Sequence, residues 1–262
     1  MKKYILFSDL DGSLLDDSQL IDKSVYTKVE NFIKNNIFII NTGRSLPLVY
    51  PVLKQLPQLK YVSCLNGALI YDLANNKPLN EEFISESQQQ LIQNFQTNYL
   101  DCLWIQFHQT GIYYVGDRKL NLKYVDDYYP DLISTPQKIT PFSYKWLILS
   151  NNVDTISKIR SELLTLDNTI NCFKSGPKSL EINPVNINKA FSINYFKNLF
   201  SDHITIGFGD HENDLAMLET TDRSYVPSNG IKSLKTKFIT LNKSNNQQAI
   251  NEVIDLIEKT ND

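Results

Sequence analysis

Asp9 and Asp11 stand two residues apart where the apolar run Tyr4–Phe7 gives out, and Gly12 follows them. Two carboxylates at a strand end can hold a hard divalent cation and leave one oxygen for chemistry, and the cation would keep Asp9 ionised. A carboxylate can also attack phosphorus and form an acyl phosphate, which splits one hard step into two. The same Asp-Leu-Asp-Gly run is good turn chemistry, so a plain turn pair is the competing reading. Thr42-Gly43-Arg44 closes another β-branched run, where a hydroxyl and backbone N–H groups suit a phosphoryl oxygen, against an ordinary glycine turn. Lys189 could set a point charge on a phosphate, although most lysines are solvated. Asp210-His211-Glu212-Asn213-Asp214 follows Ile204–Phe208. Asp210 could complete a metal site, with Asp214 or Asn213 holding it by hydrogen bonds; Asp and Asn there would equally cap the next helix, and both readings can hold at once.

These residues need elements that bring them together. Tyr4–Ser8, Ile37–Asn41, Tyr61–Cys64 and Ile204–Phe208 read as buried strands. Ser24–Asn35, Leu46–Gln55, Ala190–Leu199, Asn213–Glu219 and Gln248–Lys259 read as helices, with Pro51 weakening the second. Strand–helix alternation of this kind predicts right-handed βαβ units in a parallel sheet, whose ligands bind at the carboxyl ends of the strands. The middle differs. Helices are expected at Glu86–Leu100, Lys119–Tyr128 and Val153–Leu166. Strands are expected at Cys102–His108, Ile112–Gly116, Lys145–Ser150, Thr169–Lys174 and Ser179–Asn183, the first two joined as a hairpin at Gln109-Thr110-Gly111. That order suggests an antiparallel sheet with helices on one face. The predicted architecture is an α/β core from residues 1–80 and 184–262, with an α+β unit, 81–183, inserted between.

Composition narrows the function classes. At 42% apolar and 21% charged, with net charge −3, the chain is globular and lacks the basic surface that nucleic acid or an anionic membrane requires. An anion must therefore be attracted locally, by a metal or a few placed cations. Cys64, Cys102 and Cys172 are scattered and lack CxxC spacing, which fits bystander thiols in a reducing compartment. Lys2-Lys3 and the short run after them are too brief for a signal segment, and no run approaches the roughly 20 apolar residues of a membrane span. A cytoplasmic protein, monomeric or a small homo-oligomer, is the expectation. GxSxG, GxGxxG and GxxxxGK[ST] do not occur, so Ser-nucleophile and dinucleotide chemistries find no support.

In order and spacing, Asp9-Leu10-Asp11-Gly12-Ser13-Leu14-Leu15, Thr42-Gly43-Arg44, Lys189 and Gly209-Asp210-His211-Glu212-Asn213-Asp214-Leu215-Ala216-Met217-Leu218 resemble the four motifs of the haloacid dehalogenase superfamily. Asn66-Gly67-Ala68 and Leu180-Glu181-Ile182-Asn183-Pro184 resemble the Cof-type sugar-phosphatase branch, subfamily IIB, with a C2 cap. The resemblance covers almost the whole chain. It implies a Rossmann-like parallel-sheet core and a mobile cap that excludes water. It implies Asp9 as the nucleophile that becomes aspartyl phosphate, and Asp11 as the acid, then the base. Mg²⁺ would be held by Asp9, the Asp11 carbonyl and Asp210, with Asp214 in support. Thr42, Gly43, Arg44, Lys189 and Asn213 would bind the phosphoryl group and substrate, a small phosphorylated metabolite. Ser13 replaces the usual Thr, Asn188-Lys189-Ala190 replaces Ser-Lys-Gly, and Thr220–Gly230 departs from the family's Gly- and Ala-rich stretch, which points to a remodelled loop.

A phosphosugar mutase using the same aspartate, and a non-catalytic phosphometabolite sensor, are the alternatives. In the insertion, His108, Arg118, Trp104, Tyr113, Tyr114 and Trp146 could touch a substrate, and His211 could tune the metal; packing is the competing reading for each.

Overall fold

The computed structural model describes residues 2–108, 111–116, 133–134 and 142–259. Along the chain run β1 (Lys3–Ser8), a helix Lys23–Phe32, β2 (Ile37–Asn41), a helix Leu46–Leu53, β3 (Tyr61–Cys64), β4 (Leu69–Asp72) and β5 (Lys77–Glu81). Next come a helix Glu86–Gln96, β6 (Leu103–His108), β7 (Gly111–Gly116), β8 (Ile133–Ser134), β9 (Ser143–Leu149), a helix Val153–Leu166, β10 (Asn171–Gly176) and β11 (Ser179–Asn183). The chain ends with a helix Lys189–Leu199, β12 (His203–Phe208), a helix Leu215–Thr220, β13 (Arg223–Val226), a helix Lys232–Lys235, β14 (Ile239–Thr240) and a helix Ala249–Lys259. The contacts divide it into two compact units, one from Met1–Asn80 with Asn188–Asp262 and one from Glu81–Ile187.

The first unit holds an eight-stranded sheet in the order β14-β13-β12-β1-β2-β3-β4-β5. Its centre is parallel: β1 lies between β12 and β2, with Ser8 opposite both Phe208 and Ile40. Tyr4, Ile5, Leu6 and Phe7 are all fully buried, which explains why β1 is a continuous apolar run rather than an alternating one. One sheet face packs Ile5, Phe7 and Ile39 against Ile193 and Phe196 of Lys189–Leu199 and Met217 and Leu218 of Leu215–Thr220. Val25, Val29 and Phe32 recur at helical spacing on Lys23–Phe32 and are buried; Asp22 caps that helix by accepting from the Ser24 amide.

Four strands of this sheet, β4, β5, β13 and the two-residue β14, were not anticipated. β4 turns back antiparallel on β3, and β5 follows it at the edge. β13 pairs parallel with β12 through Ile206↔Arg223 and Phe208↔Tyr225. The Thr220–Gly230 stretch, expected as a loop, thus contains a sheet strand, and its polar Arg223 and Ser224 had hidden it.

The second unit, Glu81–Ile187, combines helices with a sheet of its own. Its sheet runs β10-β11-β9-β6-β7-β8, antiparallel except for the β7–β8 pair. The register places Trp146 opposite Ile182, and Ile148 opposite both Leu180 and Trp104. These side chains therefore share one face, and they form a single core with Ile92 and Phe95 of Glu86–Gln96 and Ile156, Ile159 and Leu163 of Val153–Leu166. Both helices have side-chain caps, Ser85 accepting from Gln88 and Asn152 from Asp154. The Lys119–Tyr128 helix, Arg118 and the Gln109-Thr110 turn lie outside the described residues.

Candidate active site

Three parallel strands end side by side and deliver three of the candidate positions. Asp9 follows β1, Thr42 follows β2 and Asp210 follows β12 by two residues. The Asp9 amide donates to the Phe208 carbonyl at 2.8 Å, one more rung of the β1–β12 ladder, and so locks Asp9 to the strand that leads to Asp210. Lys189 opens the helix Lys189–Leu199, which Asn188 caps by accepting from the Ala190 amide at 2.9 Å. Asn41, at the end of β2, donates to the Lys189 carbonyl at 2.9 Å and holds that helix start beneath the strand ends.

The Lys189 side chain is fully buried, and Nζ donates to Asp9 Oδ1 at 2.5 Å and to Asp214 Oδ1 at 2.6 Å. The other Asp214 oxygen accepts from the Asp210 and His211 amides at 2.9 and 3.0 Å. Asp214 thus ties the lysine to the backbone of the Asp210 loop. Gly209 permits this close approach: a Cβ there would lie 2.5 Å from Asp214 Cγ. Ser13 Oγ donates to Asp210 Oδ1 at 3.0 Å. Gly12 has a φ of +72°, and a Cβ there would come within 2.6 Å of Asp210 Oδ2, so turn geometry and crowding both require glycine.

The charges are not balanced by protein alone. Burial pushes the Asp9 carboxyl well up, and Asp214 adds to this, while Lys189 pulls it back. Burial, and then the charge on Asp214, push Asp210 up to about 7. Burial opposes the charge on Lys189, but Asp214 and Asp9 outweigh it and raise its pKa. One oxygen each of Asp9, Asp210 and Asp214 lies within 4.8 Å of the others. Three crowded carboxylates against one ammonium, all hard oxygen donors, fit a divalent cation, which would relieve the repulsion that burial amplifies.

The remaining candidates divide. Thr42 is buried; its Oγ1 accepts from the Arg44 amide at 3.1 Å, so its hydroxyl hydrogen is available to another acceptor. Gly43 lies tight against Asn66, whose Oδ1 a Cβ would approach to 3.1 Å. Arg44 forks onto the Asp11 carboxylate, with Nε 2.8 Å from Oδ2 and the second donor on Oδ1, and it also reaches Gln19. Its guanidinium therefore engages Asp11. Asn213 is half-buried within the turn Glu212–Asp214, and His211 contributes its backbone amide to Asp214.

In the inserted unit Trp104 and Trp146 are buried in the helix-facing core, edge to face at 6.3 Å, and their role there is packing. His108 meets the Tyr113 ring edge-on at 5.4 Å, and burial lowers its pKa. Sequence reasoning missed Asn41, Asn229 and Asn245. Asn41 had a readable signal, a lone amide ending the apolar run Ile37–Ile40; the other two sit in polar stretches and had none.

A sequence profile of the haloacid dehalogenase-like hydrolases matches residues 6–254. The chain belongs to this family. It is an enzyme, a hydrolase. A Streptococcus pyogenes serotype M6 protein named Putative phosphatase M6_Spy0533 is 27% identical over 263 residues, covering 94% of this chain and 95% of the relative. A haloacid dehalogenase-like hydrolase from Bacteroides thetaiotaomicron superposes with a TM-score of 0.85 at 19% identity, covering 98% of this chain and 100% of the other. The HAD subclass IIB sugar phosphatase BT4131 superposes at 0.84 with 16% identity, covering 97% of this chain and 99% of the other. Both structures share the fold described above. Among the described residues, no helix is long and apolar enough to cross a membrane.

Proposed function

We propose that this hydrolase is a Mg²⁺-dependent phosphatase of small phosphate monoesters, sugar phosphates foremost, working through an aspartyl phosphate on Asp9. The observation that carries the reading is the buried triad Asp9–Lys189–Asp214, with Asp210 beside it at adjacent strand ends. The relative named a phosphatase supports the reaction class, and the likeness to a sugar phosphatase supports the substrate class.

Lys189 holds Asp9 Oδ1, which orients the carboxylate and leaves Oδ2 to attack phosphorus. The Oδ2–P bond forms in line with the breaking bond to the ester oxygen, and Asp11, once Arg44 has released one of its oxygens, gives that ester oxygen its proton. Asp11 then takes a proton from water as the water attacks the phosphorus of the aspartyl phosphate, and inorganic phosphate leaves with Asp9 restored. The Thr42 hydroxyl and the third N–H of Lys189 are the donors for the phosphoryl oxygens. Asp9, the Asp11 carbonyl and Asp210 would hold the cation. Asp214 acts behind them, because both its oxygens already accept hydrogen bonds. When bound, the cation neutralises the carboxylates and offsets charge on the transferred group. Arg44 positions Asp11 and is released to the substrate's anionic end only if that pair opens.

Release of phosphate from p-nitrophenyl phosphate tests this directly. Turnover should require Mg²⁺ and should fall by roughly 10³-fold or more in Asp9→Asn. Comparable turnover by that variant would remove Asp9 from the reaction. A panel of sugar phosphates then reads the substrate class.

A further inference from the structure

The turn that carries the two aspartates is gripped from the far end of the chain. Between Leu10 and Leu14 the backbone leaves the helical region at Asp11 (φ −81°, ψ 126°) and Gly12 (φ 72°). A turn broken in this way lacks the regular donors of a helix, so its carbonyls need partners from elsewhere. Asn229 Nδ2 donates to the Gly12 carbonyl at 2.8 Å, and Asn245 Nδ2 donates to the Leu15 carbonyl at 3.1 Å. The two asparagines are joined, the Asn245 amide donating to Asn229 Oδ1 at 2.9 Å. The second Asn245 Nδ2 hydrogen goes to Asp17 Oδ1 at 3.1 Å. Asn245 is only 5% exposed, so water cannot readily replace these bonds. Two residues beyond Asn229, the Ile231 amide donates to the Asp210 carbonyl at 2.9 Å. One short C-terminal segment thus touches the backbone of both strand-end loops.

We propose that Asn245, acting with Asn229, is a positioning residue of the hydrolytic reaction: it fixes the Gly12–Asp17 backbone and through it the aim of Asp9 and Asp11. The proposal rests on the reading of Asp9 as nucleophile and Asp11 as acid. The side-chain hydrogen bonds of the two asparagines go to Gly12, Leu15, Asp17 and each other rather than to Thr42 or Lys189, so ground-state binding of the phosphoryl group should be spared. In-line attack tolerates little misplacement, and an error of about 1 Å costs on the order of 10²-fold in rate. The signature of the role is therefore a loss in kcat with KM retained.

The test compares Asn245→Ala and Asn229→Ala with Asn251→Ala, using p-nitrophenyl phosphate and Mg²⁺. Asn251 lies on the C-terminal helix Ala249–Lys259, which follows the short turn Asn245–Gln247, and donates to Ser24 Oγ at 3.0 Å, so it controls for general loosening of that end of the chain. We expect kcat to fall about 10- to 100-fold in Asn245→Ala, and less in Asn229→Ala, with KM within about twofold of wild type. Asn251→Ala should keep its kcat, and hydrogen exchange at the Leu10–Leu15 amides should quicken in Asn245→Ala. An unchanged kcat, an equal loss in Asn251→Ala, or unaltered exchange at those amides overturns the proposal. If wild type hydrolyses neither this ester nor any sugar phosphate, the nucleophile reading itself fails; the exchange data then show separately whether the grip exists.

Discussion

Without the ammonium of Lys189, Asp9 and Asp214 would face each other across a buried gap with no countercharge. Removing one partner of a buried, hydrogen-bonded ion pair costs about 3–5 kcal/mol, because the charge left behind cannot reach water. Lys189→Met should therefore lose about that much stability in urea denaturation at neutral pH without divalent cation, and lose turnover as well. A stability loss under about 1 kcal/mol would show that the carboxylates shed their charge instead of relying on the lysine. This arrangement also explains a departure from family habit. With Asn188 in place of the commoner Ser, the residue before the lysine still caps the helix, accepting from the Ala190 amide. The lysine stays at the first helical position with its side chain directed to Asp9.

Among the elements, the join between β12 and β13 offers a pH test. Asp222, just before β13, accepts from the Thr205 amide at 2.8 Å and from Thr205 Oγ1 at 2.7 Å, and it pairs with Lys197 at 3.1 Å. Burial pushes its carboxyl up, but the Thr205 hydrogen bonds and Lys197 outweigh that and leave its pKa below the usual value. A depressed folded pKa contributes stability above the unfolded value of about 3.9, and that contribution is lost as pH falls through the folded pKa. Asp222→Asn should cost about 1 kcal/mol at pH 7, a small figure because the side chain is half-exposed. The gap from wild type should close below about pH 4, and a gap that persists there would assign the effect to packing. The same strands mark where sequence reading stops. β1, β2, β3 and β12 were legible because buried parallel strands are apolar throughout and end abruptly in polar residues. β13 was not, since half of it is polar, and β14 is two exposed residues. β5 carries Pro78 and no β-branched side chain, so it reads as loop although a proline is at home on an edge strand. Of the site, the carboxylates stood out by type and by their place after apolar runs, whereas Lys189 was singled out only by its resemblance to a family motif. The hold of Asn229 and Asn245 on Gly12 and Leu15 was not legible, because an amide that donates to a distant carbonyl has no local sequence signature.

At the scale of the molecule, each unit has its own hydrophobic core, one built around Phe7, Ile193 and Phe196 and the other around Trp104, Trp146 and Ile159. Two cores predict two cooperative transitions. The proposed cation ligands all belong to the unit that contains Met1–Asn80. Mg²⁺ should therefore raise the melting temperature of that transition alone, by mass action, and Asp210→Asn should abolish the shift. Calorimetry with and without Mg²⁺ reads this, with tryptophan fluorescence as a marker, because both tryptophans lie in the inserted unit. An equal shift in both transitions would mean that the units melt as one.

The pairing of β1 with β12 has a consequence for how the enzyme is made. Synthesis proceeds from the N-terminus, so β1, β2 and β3 leave the ribosome long before the strand that must cover the other edge of β1. Every strand of the inserted unit emerges in that interval, free to fold while the first sheet stands half built. A nascent chain halted before His203 would carry Asp9 and an open apolar strand edge, the kind of surface that invites aggregation or a chaperone. The polypeptide cannot acquire hydrolytic competence gradually, because Lys189, Asp210 and Asp214 arrive only with the final third of translation.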